Sequence, residues 1–240
     1  MMRYTGWLLS IAVAGVIGLV AVPAGAQTDA EAAELAADAN AGPPVVILGG
    51  GNTDSPIDCG AGTFPTQYYF TDLEADDGGW VVGGYGDWGW GEIVPEVYEF
   101  CDGPEPEPTA AYSPVNVWGT NLNGCYENAG DTSTLTQTFD FSGLAAPIEL
   151  NFYHWYNVFE NFDWAEVYVN GTVVWRSADS SVYDWALNTI DLSAYAGTAS
   201  VEIQFLLNAT TVVNRMGWYV DDIEILYCEI PVSLQSISVE

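Results

Sequence analysis

Apolar and polar residues alternate with a period of two along much of this chain, and that period restricts it to half-buried β-strands. The alternation runs through Thr134–Phe141, Ile148–His154 and Val201–Phe205. Asn170-Gly171, set between Val167–Val169 and Thr172–Trp175, is the dipeptide favoured in a two-residue hairpin, where both positions need positive φ. Further turn signals stand at Gly78-Gly79, Asp102-Gly103-Pro104, Ser142-Gly143 and Ala196-Gly197. No amphipathic stretch of normal helical length interrupts them. The pattern therefore predicts an all-β fold, an antiparallel β-sandwich of jelly-roll type, with Gly103–Pro108 as a stiff exposed loop of alternating Pro and Glu.

The domain is expected to begin near Asp58 and to run to about residue 230, enough chain for one substantial core. Ahead of it, residues 1–26 read as an export signal: Arg3, an apolar run from Trp7 to Val22, then Ala24-Gly25-Ala26 before Gln27. A membrane anchor is the competing reading, against which the run is short. Residues 27–57 form an acidic and Gly/Pro-rich leader, and residues 231–240 a tail. The four cysteines, Cys59, Cys101, Cys125 and Cys228, show no metal-binding C-x-x-C spacing. They predict two disulfides and hence an extracellular or cell-surface location, with three possible pairings.

Charge narrows the partners. The chain carries 33 acidic residues against 3 basic ones, a formal charge of -30, and no lysine. The acids alone are little above the roughly one residue in eight that is usual. Missing bases create the imbalance. Nucleic acid and anionic lipid are excluded as partners by repulsion, whereas cations are attracted, and a saline or divalent-rich setting would relieve the self-repulsion.

Asp221 and Asp222 stand side by side in the apolar run Gly217–Ile225. Buried carboxylates need pairing, hydrogen bonds or a metal, and with so few bases a hard cation is the partner to expect. Strict alternation would turn the two carboxylates to opposite faces; Asp221, in step with Ile223 and Ile225, is the favoured ligand. His154 shares the parity of Ile148, Leu150 and Phe152 and reads as a core histidine, the alternative being a catalytic imidazole oriented by Asp163 or Glu160. No nucleophile motif accompanies it. Of the tryptophans, Trp118 and Trp218 read as core. Trp88, Trp90, Trp155 and Trp185 are candidates for stacking sugar rings, with Gly83–Glu92 as the binding loop. The competing reading of that loop folds its own tryptophans under a sheet edge.

Taken together, Phe70–Trp80, Trp118–Leu122 with Gly124 and Tyr126, Leu135–Ser142, Ile148–Tyr156, Asp163–Asn170, Trp175, Ile190–Ser193 and Gly217–Ile225 resemble the blocks of secreted jelly-roll modules of the MAM-like type. The C-terminal domains of immune-inhibitor-A-type peptidases share this resemblance. It implies a structural Ca2+ joining the first strand to the last through Glu74 and Asp221 or Asp222, with Asp76 and Asp77 in the adjacent loop. Glu160 and Asp163 match further family acids and are either a second cation site or a polar loop. The jelly-roll topology pairs first and last strands, which implies Cys59–Cys228 and Cys101–Cys125. Peptidase activity does not carry over, because His154 is the sole histidine and no H-E-x-x-H is present. The expected function is non-catalytic: binding of a polysaccharide or surface glycan, or adhesion to another surface protein. The alternatives are a calcium-bridged matrix or surface-layer subunit and, behind it, a hydrolase.

Overall fold

The structure, a computed structural model, describes residues 57–94, 101, 108–159, 161–178 and 181–230. The expected export signal, the leader up to residue 56, most of the Pro/Glu loop, Glu160 and residues 231–240 lie outside the described residues. Eleven strands are formed among the described residues: β1 (Phe64–Thr71), β2 (Val81–Gly84), β3 (Trp88–Glu92), β4 (Asn116–Thr120), β5 (Thr132–Phe139), β6 (Ile148–Asn157), β7 (Trp164–Val169), β8 (Thr172–Arg176), β9 (Val182–Asp191), β10 (Val201–Asn208) and β11 (Gly217–Glu229).

They build two antiparallel sheets, a β-sandwich of jelly-roll type. One has the order β2-β5-β10-β7-β8; the other runs β3-β4-β11-β6-β9 and adds β1 on β11. The alternating segments behave as their period requires. In β10, Val201, Ile203, Phe205 and Leu207 turn inward and are fully buried, while Glu202 is exposed. The expected hairpin joins β7 to β8, with Asn170 at φ 48° and Gly171 at φ 74° and Val169 opposite Thr172. Between the sheets lies an aromatic core in which Phe152 meets Phe205 edge to face at 5.0 Å and Trp175 stacks on Trp218 at 5.6 Å. Burying side chains of this size stabilises the fold by about 2–3 kcal/mol each.

The six-stranded sheet also packs on its outer face. Ile93, Val117, Trp155, Met216 and Tyr219 form a second apolar cluster there, covered in part by Ala111 and Cys101 from the connection between β3 and β4. Gly119 is required beneath it, since a Cβ at that position would lie 2.6 Å from the Tyr219 ring. Both disulfides form as the resemblance implies, Cys59–Cys228 holding the chain before β1 against β11 and Cys101–Cys125 tying the β3–β4 connection down.

Candidate functional site

β11 is longer than either neighbour on one of its sides, so it is shared along that edge: Tyr219 and Val220 pair with β4, and Ile223 to Glu229 pair with β1. Asp221 and Asp222 fall at the handover. There the pairing with β6 slips between Asp221 and Glu224, and Asp222 takes φ 46°. The slip breaks the alternation on which the sequence reading placed the two carboxylates on opposite faces. Both instead reach one hydroxyl: Ser113 Oγ lies 2.8 Å from Asp222 Oδ1, 3.3 Å from Asp221 Oδ1 and 3.4 Å from the Asp72 carbonyl oxygen. Asp221 also accepts from the amides of Tyr112 and Ser113, each at 3.0 Å. Glu74 accepts from Val115 and Asn116.

A hydroxyl donates only one hydrogen, so the oxygens around Ser113 outnumber the protons available to them. Burial, above all, and the Asp222 charge push Asp221 up to about 7 despite its backbone donors. Asp222 is raised by burial and by the charges of Asp72 and Glu74. The junction offers oxygen donors of the type a hard cation takes, but among the described residues no three Asp, Glu, His or Cys side chains are gathered closely enough to hold a metal ion. The Asp72 carbonyl and Ser113 Oγ belong to this set of oxygens and were not singled out from sequence, because Asp72 contributes a backbone oxygen and Ser113 stands in no block of the resemblance. Asp76 is not brought to the junction; its carboxylate accepts from Gly78 in the turn before Trp80, as Asp77 does from Gly79.

Asp163, read from sequence as either a second cation site or part of a polar loop, has partners within the protein. It is fully buried, and its two oxygens accept from Tyr126 Oη at 2.6 Å and from the Thr210 amide at 2.6 Å. It braces two loops rather than opening toward solvent as a cation ligand, and it does not orient His154. That imidazole is 5% exposed, ringed by Phe152, Tyr156 and Trp175, and its Nδ1 has no partner. Burial holds its pKa down at about 4.

The four candidate tryptophans separate. Gly83–Glu92 is not an open loop; it holds the end of the edge strand β2, a turn over residues 85–87 and the whole of the edge strand β3. Trp88 faces inward from β3, is 4% exposed, and packs on Trp218 while its Nε1 donates to the Ser133 carbonyl. Trp155 is 2% exposed beneath the outer-face cluster, against Tyr219. Both are corrected from platform to packing residues, Trp88 as the competing reading of its loop expects and Trp155 within the interior strand β6. Trp90 remains on the rim, donating to the Leu73 carbonyl. Trp185 is half-buried and donates to the Ala110 carbonyl, which fastens the β3–β4 connection to β9.

The described cleft lies elsewhere, at the end of the sandwich where β6 leaves and β9 and β11 enter. It has a volume of about 270 Å³ and is lined by Asn157, Phe159, Asn161, Ser181, Tyr183 and Arg215, among others. The Tyr183 ring is 49% exposed and rests its inner side against Trp155 at 6.0 Å. Phe162 is 56% exposed and stacks on Phe159, over which the Arg215 guanidinium lies at 5.4 Å. The Asp163 brace holds this wall in place: Tyr126 Oη accepts from the Phe159 amide, and the Tyr126 amide donates to the Arg215 carbonyl. Sequence reasoning missed the cleft because its residues come from three separate loops. The available signals were the parity of Tyr183 with Trp185 and the scarcity of bases, which makes any arginine conspicuous.

No family model matches the sequence. The chain is 30% identical over 164 residues to bacillopeptidase F of Bacillus subtilis (strain 168), a match covering 66% of this chain and 10% of that protein. It thus spans a tenth of the length of this curated relative. Among solved structures it is similar to TmCBM61 in complex with β-1,4-galactotriose, with TM-score 0.41 and 13% identity over 62% of this chain and 88% of that one. It is similar also to a family 35 carbohydrate binding module from Clostridium thermocellum, with TM-score 0.37 and 12% identity over 67% and 96%. A cyclase from Fischerella sp. TAU stands at the same level, with TM-score 0.38 and 15% identity over 75% and 92%.

Proposed function

We propose that this chain is a secreted, non-catalytic β-sandwich module that binds carbohydrate and is stabilised by calcium at the β1–β4–β11 junction. The observation that supports it most is the braced cleft in which the exposed Tyr183 ring stands beside the amides of Asn157 and Asn161 and the Ser181 hydroxyl. An aromatic face meets the C–H surface of a sugar while amides and hydroxyls bond its hydroxyls. At the junction, Glu74, Asp221, Asp222 and the Asp72 carbonyl would hold the ion, which supplies positive charge between β1 and β11 and no chemistry at the cleft. The two disulfides fit an oxidising, extracellular setting.

The test is retention on a broad polysaccharide panel at saturating calcium and again with chelator. Retention by one glycan class, lost in Tyr183→Ala at an unchanged melting temperature, is expected. A folded protein retained by no glycan would overturn the reading, and Tyr183→Ala binding as well as the parent would move the site away from the cleft. Calcium is expected to raise the melting temperature of the parent and not of Glu74→Gln; equal curves with and without the ion would remove it from the account.

A further inference from the structure

We propose that the binding surface continues from the cleft along the outer side of β9 and takes a linear, uncharged oligosaccharide longer than a disaccharide, with Trp185 as a second stacking platform. The inference rests on the reading of the cleft as a saccharide site and goes beyond it by naming the ligand's length, charge and course.

β9 is an edge strand of the six-stranded sheet, and among the described residues no further strand pairs beyond it. Tyr183 and Trp185 are alternate residues of this strand and share its outer face. The Tyr183 ring rests on Trp155, and Trp185 packs with the same outer-face cluster, 6.3 Å from the Tyr112 ring. Tyr183, 49% exposed, belongs to the cleft wall, whereas Trp185 stands one strand repeat further on and is only half-buried. Two rings so placed, about 7 Å apart along the strand, suit the C–H faces of successive sugars in a chain.

Past Leu187 the same face continues to a polar floor. Asn151 on β6 lies opposite Thr189, and Glu149 lies opposite Asp191. Asn151 is 4% exposed; its Oδ1 accepts from Thr189 Oγ1, but its Nδ2 has no acceptor, and Glu149 Oε2 has no donor. Thr189 and Asp191 are exposed and Glu149 is half-buried, so this floor lies at the open margin of the sheet. A hydroxyl both donates and accepts, which answers an unpaired amide hydrogen and an unpaired carboxylate oxygen two residues apart on one strand. From Tyr183 to Thr189 the strand advances by about 20 Å, further than a disaccharide reaches. The charged groups beside this course, among them Asp184, Glu149 and Asp191, are acidic and oppose an anionic chain.

The experiment is calorimetric titration of the full protein with β-1,4-linked gluco-, xylo- and galacto-oligosaccharides from disaccharide to hexasaccharide, and with oligogalacturonides, at one fixed calcium concentration. In at least one neutral series the affinity is expected to rise about tenfold or more from disaccharide to tetrasaccharide and then to level off, the scale of one added stacking contact and one hydrogen bond. Trp185→Ala should flatten that rise, and Trp185→Phe, which keeps a ring, should retain part of it. A disaccharide bound as tightly as the hexasaccharide, or an unchanged rise in Trp185→Ala, would overturn the proposal and leave the cleft reading intact. Oligogalacturonides bound more tightly than every neutral series would overturn it too. Should Trp185→Ala fail to fold, Glu149→Ala decides in its place: the tetrasaccharide should lose its advantage over the trisaccharide, and an unaltered series would overturn the proposal. Binding of none of the series overturns the inference, and the polysaccharide panel then judges the carbohydrate reading separately.

Discussion

His154 shows how far a single residue can be read. Its parity with Leu150 and Phe152 predicts a core position, and the structure seals it among Phe152, Tyr156 and Trp175. What parity does not reveal is the electrostatic cost. Folded, the imidazole titrates at about 4 because burial disfavours its charged form; unfolded, it titrates near the ordinary value of about 6.5. The native state therefore refuses a proton that the unfolded chain accepts between these values. The stabilisation is complete above pH 6.5 and is lost progressively down to pH 4. By pH 4.5 the loss should reach about 2–3 kcal/mol. Asp221 and Asp222, both raised, contribute the opposite slope, so the parent must be compared with His154→Leu in urea at pH 7.5 and pH 4.5. The parent should lose more stability than the variant on acidification, and identical pH profiles would show the imidazole to be solvated. As the sole histidine, its ring proton can also be followed directly by NMR.

At the scale of elements, strands were legible and their junctions were not. Period-two patterning located β5, β6 and β10, and Asn170-Gly171 located a hairpin, because each signal is local and contiguous. The β11 handover depends on which strands flank it, which a run of eight or nine residues does not encode. Hence the parity assignment of Asp221 and Asp222 failed where the register slips, and Ser113 went unnoticed 108 residues away from Asp221. The same limit hid the cleft, assembled from the ends of β6, β9 and β11. It also made Trp88 and Trp155 look available, since the outer-face cover over Trp155 comes from a distant connection. Asp221→Ala would leave the amides of Tyr112 and Ser113 without their acceptor. Unsatisfied buried donors cost about 1–3 kcal/mol each; these two amides are half-buried, so a loss of about 1–3 kcal/mol in all is expected in calcium-free buffer. Hydrogen exchange at those two amides should accelerate; unchanged protection would mean that Asp221 does not anchor the β3–β4 connection.

For the whole molecule, the two disulfides differ in reach. Cys59–Cys228 spans 169 residues and Cys101–Cys125 spans 24. In the chain-entropy model the long loop contributes about 5 kcal/mol and the short one about 3.5 kcal/mol. The double substitution of Cys59 and Cys228 by serine should therefore lower the denaturant midpoint more than the same change at Cys101 and Cys125. The reverse order would show that anchoring the outer-face cover matters more than closing the sandwich.

β11 lies at the centre of its sheet, bonded to β4 and β1 along one edge and to β6 along the other. Of the eleven strands it is the last to be synthesised. Until it emerges, β1, the β3–β4 pair and the β6–β9 pair have no common partner, and the six-stranded sheet cannot nucleate early. Such long-range pairing makes for slow folding. A chain built this way can assemble its five-stranded sheet first, but it joins the three pieces of the larger sheet only through the strand that arrives last.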